Sequence, residues 1–263
     1  VGIFSAYRIA DSLPSWVQTC NAFAAGTIIS VCLVHMLPDG VSELSDVGKA
    51  LAARLGPDRG VDKGVVFPIA YSLVVAGFLV NMCIHAVGED VAHEKGRESG
   101  GDAQSSDTSC AHQQSGASPF TSVGALLGLS LHSFVEAVAV GTQTGRILLM
   151  MTVAICAHKG FEAFALGQAL LPLIQHQMAH SWWGAVVGFC LTTPLGIAVG
   201  ALAATTIDGP AVAALNCFAA GTLLFVGIVE IMLPAFAVPG DLCRNLLALT
   251  FSAFVTALLA MWA

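Results

Sequence analysis

The chain has 263 residues, 56% of them hydrophobic and only 10% charged, with a mean hydropathy of +0.80. Soluble domains carry about 25% charged residues, so this composition excludes an ordinary water-soluble fold and points to a polytopic membrane protein. The net charge of −7 is spread over loops without any basic stripe, which excludes a nucleic-acid partner.

In chain order, the run 1–10 is too short to span and stops at the Asp11–Pro14 turn. It reads as the tail of a span that begins outside this sequence, in preference to a cleaved signal peptide. Seven further runs, 18–38, 65–87, 120–143, 147–171, 182–204, 211–234 and 242–262, are each long enough to cross a hydrocarbon core that takes about 20 helical residues. The stretch 39–64, with Asp39, Glu43 and Asp46, reads as a solvated loop. Residues 88–119, polar and rich in Gly and Ser, are expected to be a disordered loop within a single transmembrane domain 1–263, with His93, Cys110 and His112 solvated. Alternating the loops sets Arg8, Lys95, Arg97 and Arg244 against Lys49, Arg54, Arg59, Lys63 and Arg146, a near-even split from which the positive-inside rule assigns no orientation. The eight cysteines form no CxxC and read as small packing residues.

Two repeats stand out. NAFAAGTIISVCLVHMLP from Asn21 and NCFAAGTLLFVGIVEIMLP from Asn216 share Asn, Phe-Ala-Ala-Gly-Thr and a closing Leu-Pro, with His35 in one copy where Glu230 stands in the other. They fall five spans apart, so they cross in opposite directions, as in the inverted repeats of many secondary transporters. HSFVEAVAVG from His132 and HKGFEAFALG from His158 form the second repeat, on adjacent antiparallel spans.

Residues four apart share a helix face, so His132 with Glu136 and His158 with Glu162 make two vertical pairs that neighbouring helices can bring together. Of 27 charged residues (10 basic and 17 acidic), only Glu136, Lys159, Glu162 and Glu230 fall well inside spans. Each costs about 2.5–3.5 kcal/mol there, so each requires a partner or a function. Two neutral imidazoles and two carboxylates carry −2, which a divalent ion such as Zn²⁺ balances with N and O ligands it favours. Gly128, Ala137, Gly141, Ala163 and Gly167 are expected to let the two site helices approach closely. Lys159 is expected to pair with Glu136 or Glu162. Gln143, three turns from His132 on the same face, is expected to line the route, with His35 and Asp39 near one end and Glu230 near the other.

These motifs, together with FPIAYSLVVAGF, TPLGIAVG, HMLPD and AAGTLLFVGIVEIMLP, resemble the ZIP (Zrt/Irt-like) divalent-metal transporter family over nearly the whole chain. The resemblance implies an all-α, eight-span helix bundle with inverted repeats, its first span truncated here. It also implies uptake of zinc or iron into the cytosol, most naturally at the plasma membrane, with 88–119 cytosolic. Family metal ligands map onto His132, Glu136, His158 and Glu162. Members with two metals have Asn, Asp and Glu where this chain has Ser133, Lys159 and Thr193 (before Pro194), so one transport metal is expected, with the Lys159 ammonium in place of the second. His85 stands where related chains commonly have Glu. The ion is substrate, no prosthetic group is expected, the lipid bilayer is the surrounding partner, and a homodimer is left open. The alternative, an intramembrane zinc hydrolase, would need an open metal position and a general base, and HExxH is absent.

Overall fold

The computed structural model describes Ile3 and residues 16–55, 68–98, 119–170, 179–204, 209–237 and 241–260. Among them run seven helical rods and no strand: α1 (17–55), α2 (Ile69–Glu98), α3 (Pro119–Gly141), α4 (Gly145–Ala169), α5 (Ala179–Ala203), α6 (209–237) and α7 (Leu242–Ala260). Six of them, all but α4, contain described stretches long and apolar enough to cross a membrane by length and composition. The protein is thus an all-α membrane fold. Except for Ile3, which packs in the main core, the expected truncated first span lies outside the described residues.

Two boundaries differ from those expected of the sequence. Leu37–Leu55 is helix, where a loop was expected. Leu37, Val41 and Leu44, at i, i+4 and i+7, pack with Ala213 and Cys217 of α6, and this apolar stripe holds the turns together although the segment is rich in charge. α2 continues through residue 98, so the first part of 88–119 is helical, and 99–118 lie outside the described residues.

The FAAGT copies lie in α1 and α6. Val17–Ser30 packs against Val226–Met232, and Leu37–Leu55 against Gly209–Phe225, so the two rods are antiparallel. Both change winding at the same place. In α1 the stretch Val31–Met36 is π-wound, the Leu37 N–H reaching the Cys32 carbonyl. In α6 the stretch Val226–Met232 is π-wound, the Leu233 N–H reaching the Ile228 carbonyl. In each copy the next residue is proline, Pro38 or Pro234, which has no N–H to donate and whose ring crowds the preceding turn. The wider π turn relieves that crowding, and it holds His35 and Glu230 at equivalent points.

Glycines fix three helix pairs backbone to backbone. A Cβ at Gly26 of α1 would strike Ser252 and the Leu249 carbonyl of α7. The equivalent Gly221 of α6 would strike the Val74 carbonyl of α2, and Gly77 of α2 would strike the Phe218 carbonyl. In the third pair, Gly141 of α3 faces the Ile197 carbonyl of α5, while Gly196 and Gly200 face the Phe134 and Val138 carbonyls. Gly128 and Gly141 were expected to face α4. They serve other neighbours instead, and Ala137 lies against Gly196 of α5. A further clasp joins α1, α6 and α7, in which Thr19 donates to Asn245 Oδ1 at 2.8 Å and Asn245 donates to the Ala235 carbonyl at 3.3 Å.

Candidate metal-transport site

The site lies between α3 and α4. His132 is fully buried, and its Nε2 stands 3.2 Å from Glu162 Oε1 and 3.8 Å from Glu136 Oε2. One donor atom from each of His132, Glu136 and Glu162 lies within 4.8 Å of the others, the separation one cation between them would use. His132 Nδ1 is buried without a hydrogen-bond partner among the described residues. The His158 backbone is on α4, one turn before Glu162, but its side chain lies outside the described residues.

Lys159 occupies the other side of the cluster. Its ammonium donates to Glu162 Oε2 at 2.8 Å, Ser133 Oγ at 2.9 Å and Glu136 Oε2 at 3.1 Å, which uses all three of its N–H bonds. The lysine thus pairs with both carboxylates at once, where one or the other was expected. The Ser133 hydroxyl donates to Glu162 Oε2 at 3.4 Å. Glu162 is therefore two-sided, with Oε1 facing the imidazole and Oε2 bound to the ammonium and the hydroxyl. Two carboxylates this deep demand such compensation, because an unpaired buried charge costs several kcal/mol.

Among the described residues, His35, Asp39 and Glu230 are not part of this cluster. His35 Nδ1 and the exposed Asp39 are 3.7 Å apart across the end of the π-wound stretch of α1. Thr193 is half-buried on α5 just before Pro194. Glu230 turns both oxygens into the interior without a hydrogen-bond partner among the described residues, and a Cβ on Gly124 of α3 would lie 3.0 Å from its Oε1. α3 ends at Gly141, so the three-turn helical spacing from His132 does not extend to Gln143, whose amide donates to Thr142 Oγ1 at 3.4 Å. His85 packs its ring on Phe225, 5.7 Å between centroids. Sequence reasoning missed Asn81, a buried amide whose signal was plain, namely one uncharged polar side chain inside the apolar run GFLVNMCIH.

The family model for ZIP Zinc transporter matches residues 3–262. The chain is similar to zinc transporter ZIP1 of Takifugu rubripes, 28% identical over 264 residues that cover 91% of this chain and 83% of that one. It is also similar to zinc transporter ZIP1 of Homo sapiens, 29% identical over 233 residues, covering 81% and 68% of the two chains. With zinc transporter ZIP2 of Homo sapiens it shares 35% identity over 153 residues, covering 55% and 48%. A match over almost the whole length, on a multi-pass helical frame with a buried His/Glu cluster, means that the chain belongs to the ZIP zinc transporter family and that its function is divalent-metal transport, with zinc as substrate.

Proposed function

We propose that zinc crosses the membrane through one site built from His132, Glu136, His158 and Glu162, entering the cytosol across the plasma membrane. The observation that carries this is the two-sided Glu162 carboxylate. Its Oε1 and His132 Nε2 face each other as a cation's ligands would, while Oε2 is already neutralised by Lys159. A carboxylate that bridges two positive centres suits one ion plus an ammonium, so the second ion's place is taken and the transported stoichiometry is one. Fe²⁺ uses the same N and O donors and would compete with zinc. His35 and Asp39 lie on the approach, Glu230 beyond the site beside Gly124 on α3, and Ser133 fixes the shared oxygen. Thr193 supplies no carboxylate where a second ion would need one.

Transport requires no covalent step. α3 is locked to α5 by backbone contacts, whereas at Gly124 and Gly128 its nearest neighbours on α6 and α2 are side chains. The repeat-bearing helices can therefore shift against the site-bearing pair without breaking a glycine crossing, which suits alternating access. The apolar faces of α2 and α7, with Val75, Val87, Leu247 and Phe251 exposed, are assigned to lipid. The hydrolase alternative has no support from the family match. Glu162→Ala, His132→Ala and His158→Ala variants that reach the membrane should lose uptake of radioactive zinc, and wild-type rates in them would mean the ion passes elsewhere.

A further inference from the structure

Asn81 is 2% exposed at the middle of α2. A buried amide persists in apolar surroundings only where its hydrogen bonds are met, so its partners tell what it holds. Its Nδ2 donates to the Thr222 carbonyl of α6 at 3.1 Å. That carbonyl lies four residues before Val226, where the α winding of α6 gives way to π. α2 and α6 are locked to each other through Gly77 and Gly221, so the amide is carried by a rigid pair.

The same nitrogen fills a notch in the site helix. A methyl on Gly128 would lie 2.8 Å from Asn81 Nδ2 and 3.0 Å from Val226 Cγ2. Gly124, Gly128, His132 and Glu136 recur every four residues, so one face of α3 carries two bare positions followed by two candidate ligands. Asn81 therefore enters one turn from His132, about 6 Å along the axis.

We propose that Asn81 is a positioning residue for transport. Held by Thr222 and seated in the Gly128 notch, it sets the depth at which the His132-bearing helix rests against the α2–α6 pair. It touches neither the ion nor its ligands and acts on the movement of the site, not on ion binding. This rests on the transport reading above, since only a moving site helix makes its resting depth a kinetic quantity.

The test is zinc uptake by the full chain, normalised to the amount in the membrane. Gly128→Ala is expected to lower the maximal rate about three- to tenfold, because its methyl displaces an amide that must then give up a hydrogen bond. KM for zinc should be unchanged. Asn81→Ala vacates the space that methyl needs, so the double variant should return to within about twofold of Asn81→Ala alone, a non-additivity expected only of groups in contact. Effects that multiply, or a KM that moves with the rate, would overturn the proposal. Should Gly128→Ala fail to accumulate, Asn81→Leu, of similar volume but without the donor, replaces it. A fall in rate at constant KM then supports the proposal, and a wild-type rate overturns it. Glu162→Ala run alongside separates the two failures. Wild-type uptake there defeats the site reading, whereas a dead Glu162→Ala beside a normal Gly128→Ala defeats only the role of Asn81.

Discussion

The two sides of α3 differ in how they are packed. Toward α5, Gly141, Gly196 and Gly200 bring peptide groups together, and any added carbon would meet backbone. Toward α2 and α6, the bare positions Gly124 and Gly128 meet only the ends of Glu230, Asn81 and Val226. Backbone cannot yield without moving a whole helix, whereas side chains change rotamer on their own. On the alternating-access reading proposed above, the contrast separates a contact that travels with the site from one across which the site travels.

The largest effect should come from breaking the locked side. Gly200→Leu places a branched side chain against the Val138 carbonyl, and overpacking of this kind costs about 1–3 kcal/mol or more. Here nothing flexible can give way, so the variant is expected to fail to accumulate in the membrane, as read by surface labelling. An equal substitution at Gly160 of α4, which has no neighbour within 4 Å among the described residues, should accumulate normally.

Next in size is the removal of Lys159. Lys159→Met leaves two buried carboxylates without their ammonium, a loss of about 3–5 kcal/mol for a broken buried pair. The ion-free protein should melt well below wild type in detergent, and added zinc should restore much of the difference. Lys159→Asp would sharpen the same point, because an anion in place of the ammonium should raise bound zinc from one to two per chain, measured by metal analysis of the purified protein.

The smallest effect is expected inside the static frame. Asn245→Ala removes the acceptor of Thr19 and the donor to the Ala235 carbonyl. Lost hydrogen bonds of this type are worth about 1 kcal/mol each, which at this size lowers the melting temperature by a few degrees. The zinc uptake rate should stay close to wild type, because no contact between α3 and the α2–α6 pair is touched.

The sequence was most informative where burial forces an explanation. Hydropathy marked every rod, and intramembrane charge singled out Glu136, Glu162, Lys159 and Glu230, because apolar runs tolerate such groups only with a partner or a function. The matched FAAGT copies exposed the repeat whose equivalent glycines, Gly26 and Gly221, make equivalent crossings. What stayed hidden was which neighbour each small residue serves. A glycine announces a close approach but not its partner, so Gly128 and Gly141 were set against α4 when α2, α5 and α6 claim them. Charge density hid the helix of Leu37–Leu55, although its i, i+4, i+7 apolar stripe was present. Helical spacing was carried past the end of α3 to Gln143, because nothing in GTQTG fixes which residue is the last helical one.

Anomalous scattering at the zinc edge from zinc-loaded protein tests the central claim most directly. One ion per chain is expected, bounded by His132, Glu136 and Glu162, with Lys159 still against Glu162. Two fully occupied ions about 4 Å apart between α3 and α4, or zinc bound away from Glu162 altogether, would contradict it.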